Sequence, residues 1–142
     1  MTIKSLDHYN IETARLEETV EFYTEVLGLS RGYRPSAIAV PGAWMYAGGH
    51  PCIHINEVSD ELAGPTGPIN HVAFEAANEP GDYDAMKALL AERGLPFEES
   101  DSRPMIPLRQ IFVHDPNSIR LELNYRDEPL TAETEGDTEG SR

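Results

Sequence analysis

A chain of 142 residues, 39% hydrophobic and 25% charged, can bury one sizeable core, which makes one globular domain the starting expectation. A formal charge of −14 argues against a phosphate-backbone partner, whose footprint would be a basic patch. No apolar run reaches membrane-spanning length, no basic-then-apolar leader opens the chain, and Cys52 is alone, so a cytoplasmic protein with no disulfide framework, nucleic-acid partner or membrane partner is expected.

The first predicted strand, Ile3–Ile11, places Leu6, His8 and Asn10 on one face and Asp7, Tyr9 and Ile11 on the other. A helix follows, since Leu16, Val20, Tyr23 and Leu27 recur at helical spacing while Glu17, Glu18, Glu21 and Glu25 fill the solvent side. Thr13 or Ala14 is the expected cap, and Gly28 the C-terminal stop. Strands are predicted at Ser30–Arg34 and at Ala37–Ala47, the latter interrupted by Pro41-Gly42. A fourth, Pro51–Asn56, sets Ile53 and Ile55 against Cys52, His54 and Asn56.

A linker over 59–68 contains Gly64-Pro65-Thr66-Gly67-Pro68, and then the pattern restarts. Ile69–Ala76 reads as a strand with His71 and Ala73 opposite Val72 and Phe74. Tyr83, Met86, Leu89 and Leu90 mark a helix that Gly94 ends. Pro96–Ser100 and Leu108–His114 are strands, and Asp115-Pro116-Asn117-Ser118 is a hairpin turn. The last strand, Ile119–Tyr125, has Ile119, Leu121, Leu123 and Tyr125 on its apolar side and Arg120, Glu122 and Asn124 on the other. Residues 126–142 hold six acids against Arg126 and Arg142 and almost nothing apolar, which predicts an acidic disordered tail and leaves about −10 on the body.

The chain therefore holds two copies of strand, helix, strand, strand, strand. Leu6-Asp7-His8 answers Ile69-Asn70-His71 at an offset of 63, Gly28-Leu29 answers Gly94-Leu95 at 66, and Ile53-His54-Ile55 answers Leu121-Glu122-Leu123 at 68. The expected organisation is one domain over 1–125, with modules at about 3–57 and 69–125.

Duplication changes the reading of four side chains. A single strand histidine is ordinarily structural or solvated, and a carboxylate in mid-strand ordinarily faces water. Here His8 and His71 occupy equivalent places on the first strands, and His54 and Glu122 on the last, each turned from its strand's apolar side. If the helices cover one face of the sheets, all four can point into one concavity on the other. Three imidazoles and a carboxylate suit a divalent ion such as Fe, Ni, Zn, Co or Mn. His50 is expected in a solvated turn, His114 at a rim and Cys52 in the core. Trp44, Met45 and Tyr46 are expected to line a pocket or to pack, and either Gln110 or Phe112 could face the concavity.

The helix end Glu-Phe-Tyr-Thr-Glu-Val-Leu-Gly-Leu (21–29) and the run Ile-Phe-Val-His-Asp-Pro-Asn-Ser-Ile-Arg-Leu-Glu-Leu-Asn (111–124) resemble the vicinal oxygen chelate superfamily. That group includes glyoxalase I, bleomycin-resistance proteins, methylmalonyl-CoA epimerase, fosfomycin-resistance enzymes and type I extradiol dioxygenases. The resemblance covers about 3–125. It implies an α+β fold of two βαβββ modules forming a cupped mixed sheet with helices outside, and a homodimer. It also implies a metal that binds adjacent oxygens of a small substrate. It assigns His8, His71 and Glu122 as ligands. His54 lies where glyoxalase and epimerase members hold a fourth ligand, usually Glu or Gln, so a His there is either a ligand or an unligated acid/base.

Three functions follow. In a glyoxalase-like lyase or isomerase, the metal would polarise a carbonyl and Glu122 or His54 would move a proton beside an enolate-like intermediate. In an Fe(II) extradiol dioxygenase acting on a catechol-like substrate, His8, His71 and Glu122 would form the two-His-one-carboxylate face and His54 the free imidazole. Phe112 stands where such dioxygenases carry Tyr, and Arg103 roughly where a further His is expected; both departures count against ring cleavage. Scattered Arg31, Arg34, Arg103 and Arg109 make no clear anion site for a glutathione-linked glyoxalase. A metal-free drug-binding protein of the bleomycin type would need no ligand quartet.

Overall fold

The structure, a computed structural model, describes residues 2–62 and 66–128. These fall into two compact units: the chain before His71 together with His114–Arg120, and His71–Val113 together with the chain from Leu121 onward. The middle of the expected linker, 63–65, and the expected tail from 129 lie outside the described residues. Among the described residues no helix is long and apolar enough to cross a membrane.

The first unit contains β1 (Tyr9–Thr13), α1 (Leu16–Glu21), β2 (Ser30–Gly32), β3 (Gly42–Ala47) and β4 (His50–Glu57). Its sheet runs β1-β4-β3-β2, with β1 parallel to β4 and the other pairs antiparallel. Ile11, Met45, Ile53 and Ile55 bury the face that meets Leu16, Val20, Tyr23 and Val26 of the helical segment. The second unit repeats the plan with β5 (Val72–Glu75), α2 (Asp82–Glu92), β6 (Phe97–Asp101), β7 (Leu108–His114) and β8 (Arg120–Arg126), ordered β5-β8-β7-β6. Tyr83 and Leu90 of α2 are buried, as are Ile111, Val113, Leu121, Leu123 and Tyr125 on the sheet, and Tyr83 meets Tyr125 edge-on at 5.1 Å. Two βαβββ modules in an α+β fold are thus observed as expected.

The departures are local and have identifiable causes. β1 starts at Tyr9, not Ile3, because the Asp7 carbonyl is taken by the His50 side chain (2.6 Å) and Pro51 brings no N–H to the ladder. Ile3 and Leu6 are consequently exposed. β5 likewise starts at Val72 and leaves Ile69 exposed. The first helix is capped by Arg15 rather than by Thr13 or Ala14; Thr13 instead accepts the Arg15 N–H on its Oγ1 at 2.9 Å. After Glu21 the helix widens into a π turn over Phe22–Val26, with Leu27 N–H reaching Phe22 O. That turn brings Phe22 and Val26 into the buried stripe and leaves Leu27 half-buried. The strand expected over Ala37–Ala47 starts only at Gly42, where an added Cβ would stand 2.1 Å from Ile55 O. The two helix stops agree with the reading: Gly28 and Gly94 have φ of 73° and 66°.

One buried polar network ties the first unit together. Tyr9 OH donates to Tyr23 OH (3.2 Å), and Tyr23 OH donates to Asp115 Oδ2 (2.9 Å). The other Asp115 oxygen accepts the Asn117 and Ile119 N–H groups at 2.8 and 2.9 Å. The Asn117 side chain accepts from Thr13 Oγ1 (2.6 Å) and donates to Thr19 Oγ1 (3.0 Å). Asp115, Thr13, Thr19 and Tyr23 are all buried, so each depends on these bonds. Burial, with Asp115 nearby, pushes the Tyr23 phenol well above its ordinary range. Tyr23→Phe removes a donor to a buried carboxylate while leaving volume almost unchanged, and should lower stability by about 1.5–3 kcal/mol in equilibrium urea unfolding. A loss within a few tenths of a kcal/mol would mean that the network contributes nothing net.

Candidate functional site

Register places the candidate residues as two matching pairs. In the first sheet Asn10 faces His54 across β1 and β4, and His8 lies two residues before Asn10. In the second Ala73 faces Glu122 across β5 and β8, and His71 lies two residues before Ala73. Ile53 and Ile55 flank His54 on the core side and Leu121 and Leu123 flank Glu122, so the pleat turns both polar side chains the other way. The two histidines are also matched in exposure, at 37% and 38% of the side chain.

In the first pair, His8 Nδ1 lies 2.5 Å from Asp7 Oδ2, a bond that lowers the Asp7 pKa. The His8 ring stacks on His54 with centroids 3.7 Å apart and planes 15° apart. The far face of His54 stacks on Trp44, its partner across β3 and β4, at 3.9 Å and 7°. Nε2 of His54 is buried and has no hydrogen-bond partner among the described residues. Burial, followed by the neighbouring His8, lowers the His54 pKa and favours the neutral ring. Asn56 continues this face and accepts from Arg34 Nη2 at 3.3 Å.

In the second pair, His71 Nε2 stands 3.6 Å from Glu122 Oε2. Glu122 is mostly buried, at 14% side-chain exposure, and its other oxygen accepts from Gln110 Nε2 at 2.6 Å. Gln110 Nε2 also lies 3.0 Å from Asn124 Oδ1, so one amide holds both Glu122 and Asn124. Gln110 thus supplies the polar contact that the sequence left open between Gln110 and Phe112.

Other expectations resolve individually. His50 opens β4 and bonds the Asp7 backbone instead of sitting free in a turn. His114 ends β7 and is exposed. Cys52 is half-buried on the His54 side of β4, not in the core, because Ile53 and Ile55 occupy the core parity. Met45 is core, whereas Tyr46 bonds the Tyr33 carbonyl. The four arginines are engaged separately: Arg31 with Glu17, Arg34 with Val40 O and Asn56, Arg103 with Asp101, and Arg109 over the Tyr83 ring.

Among the described residues no group of three or more His, Cys, Asp or Glu side chains is gathered to hold a metal ion. The spacing of His71 and Glu122 is compatible with two ligands of one ion. Two atoms bound at about 2.0–2.2 Å to one ion stand roughly 3–3.5 Å apart, close to the His71–Glu122 separation. A ligating His commonly gives its other nitrogen to a carboxylate, as His8 does to Asp7. The His8–His54 stack sets a limit, however. Stacked face to face and nearly parallel, the two rings do not aim their nitrogens at a common point. As stacked, the two rings cannot share an ion.

A sequence model of the Glyoxalase/Bleomycin resistance protein/Dioxygenase superfamily matches residues 5–123. Among curated proteins, "Glyoxylase I 4" of Arabidopsis thaliana is 24% identical over 133 residues, covering 85% of this chain and 70% of the relative. A structure described as that of a glyoxalase family protein from Bacillus anthracis superposes with a TM-score of 0.70 at 24% identity, covering 89% of this chain and 98% of that one. The fosfomycin resistance protein FosX of Listeria monocytogenes gives 0.68 at 19% identity, covering 93% and 98%.

Trp44 is the sole tryptophan, so its emission reports on the ring stacked against it. In metal-free protein that emission should titrate with a midpoint below 6.5, and His54→Gln should abolish the transition. A depressed His54 pKa gives stability that is complete above the unfolded value and lost as pH falls through the folded one. A midpoint raised above the ordinary imidazole range would mean that burial and the neighbouring His8 do not govern the charge of His54.

Proposed function

Because the chain belongs to the Glyoxalase/Bleomycin resistance protein/Dioxygenase superfamily, we propose that it is a divalent-metal-dependent enzyme acting on a small substrate with adjacent oxygens, most closely a glyoxalase-like lyase or isomerase. The observation that carries this reading is the matched register of the His8/His54 and His71/Glu122 pairs. His8, His71 and Glu122 would hold the ion, which could be Fe, Ni, Zn, Co or Mn. When bound, such an ion supplies Lewis acidity to the two substrate oxygens, stabilising the charge that develops on them.

The chain's own residues supply the rest. Gln110 fixes one Glu122 oxygen and leaves the other toward His71, so the carboxylate presents a defined ligand atom. Asp7 on Nδ1 of His8 fixes its tautomer and leaves Nε2 as the ligand nitrogen. His54, which the sequence leaves as either a ligand or an unligated acid/base, is better suited as the acid/base: its ring is stacked face to face on His8, and its Nε2 has no competing bond among the described residues. A neutral imidazole beside a polarised carbonyl can take and return a proton. That same arrangement, two histidines and one carboxylate with a free imidazole nearby, favours the Fe(II) dioxygenase as the second reading. Phe112 in place of a tyrosine weighs against it.

Elemental analysis of protein purified without added metal tests the reading. Near-stoichiometric metal is expected in wild type, and metal-free protein that also refuses added zinc, iron or nickel would leave the drug-binding function standing instead. Glu122→Gln and His71→Ala should empty the site. His54→Ala should retain metal but lower turnover on an identified substrate by about 10²–10⁴-fold. Gln110→Leu should weaken metal binding by about 10–100-fold, as loss of an orienting group does. Mixing His8→Ala with Glu122→Gln protein reports where the ligands come from, since binding returns only if a site draws on two copies.

A further inference from the structure

We propose that Arg34 and Asn56 form a binding site for a small organic oxyanion on the polar face of the first sheet, giving the substrate an anionic end, a carboxylate or a phosphate. Only the word substrate rests on the functional reading above; both donors belong to the first unit, and neither needs a metal ion. Arg34 follows β2 and lies over Gly42 of β3, where an added Cβ would stand 2.9 Å from Nη2 and 3.1 Å from Cζ. Its Nη2 donates to Val40 O at 2.7 Å and to Asn56 Oδ1 at 3.3 Å, so the guanidinium is tethered at two points. Both acceptors are neutral. The chain has 25 acids against 11 lysines and arginines, yet among the described residues no carboxylate pairs with Arg34, whereas Arg15, Arg31 and Arg103 each hold one. Guanidinium groups withdrawn from water are ordinarily paired with an anion, and half-buried Arg34 has only neutral oxygens.

A guanidinium can only donate, so the Asn56 amide must turn its oxygen toward Arg34 and its Nδ2 away. Asn56 Nδ2 and Arg34 Nη1 have no partner among the described residues, and neither is buried, so both are open donors. They flank one hydrogen bond. Nε of Arg34 is buried and also unpartnered, so the inner edge of the guanidinium carries charge that no described residue answers. An oxyanion spanning Nη1 and Nδ2 supplies the missing acceptor through charge-assisted bonds. Trp44 stands two residues from Gly42 on the same face and pairs with His54, as Gly42 pairs with Asn56. The carbon body of a bound acid would therefore lie toward the indole and the imidazole assigned to proton transfer. Glu12 is the partner of Asn56 on the β1 side and is exposed; its charge opposes an anion and holds the affinity down.

The test is titration of the metal-free full chain with sodium lactate, inorganic phosphate and propane-1,2-diol, the uncharged counterpart of lactate, at fixed ionic strength. Binding is followed by the emission of Trp44, the sole tryptophan, and by the NMR signals of the Asn56 amide. Lactate or phosphate should bind saturably in the millimolar range and shift both signals, and the diol should not. Saturation by lactate alone assigns a carboxylate and by phosphate alone a phosphate; either supports the site. Arg34→Met should weaken binding about 10–100-fold, as loss of a charged hydrogen-bonding partner does. Glu12→Gln should tighten it. If Arg34→Met folds poorly, Asn56→Asp serves instead, since a carboxylate beside the guanidinium answers its charge within the chain and should abolish binding. An Asn56 amide that neither anion moves, a diol that binds as well as lactate, or affinity unchanged in Arg34→Met or Asn56→Asp would overturn the proposal. Failure of the metal-enzyme reading is separate: it would appear as protein that refuses added metal while lactate or phosphate still binds.

Discussion

The polar faces of this protein hang on the register of two parallel ladders. In each sheet the first strand lies beside the last, and the residues between them, a helix and two strands, form the crossover that a parallel pair requires. Because side chains alternate, register and burial are one decision. A slip of one residue in β4 would drive His54 and Asn56 into the core and expose Ile53 and Ile55, and in β8 it would bury Glu122 without Gln110. The cost of desolvating a carboxylate or stranding two isoleucines in water is what keeps His54 and Glu122 where they are.

Similar register has been given different chemistry in the two halves. His71 faces an anion that is held by an amide; His8 faces a neutral ring held between aromatic faces. The second pair therefore carries a carboxylate where the first carries a stacked imidazole. Positions 54 and 122 are thus equivalent places at which the two copies have diverged, to an imidazole in one and a carboxylate in the other.

Much of this was legible in the chain because it depends on local pattern. The offsets of 63 and 68 came from short apolar–polar alternations, and β7 and its turn were bounded by Leu108, Asp115 and Ser118 as anticipated. What escaped depends on partners far away in sequence. Ile3–Asp7 alternates like a strand, but only the register against Pro51 and His50 shows that the ladder stops at Tyr9. The π turn hides because Phe22, Tyr23, Val26 and Leu27 are all apolar, so a half-turn of slippage still leaves an apolar stripe. The Trp44–His54 contact needs the exact pairing of β3 with β4, which the Pro41-Gly42 break and the bulge after Met45 jointly set. The hairpin turn was visible, whereas its attachment through Asp115 and Asn117 was not, since Tyr23 reads simply as one more apolar position of a helix.

That attachment bears on the history of the molecule. The turn between β7 and β8 groups with the first module, where its Asp115 and Asn117 satisfy the buried hydroxyls of Thr13, Thr19 and Tyr23. The first module is therefore not complete in its own length of chain. A chain holding the first module alone would have to obtain this turn from another molecule. Loss of the later half of the chain would strand the buried hydroxyl groups of Thr13, Thr19 and Tyr23 in the first.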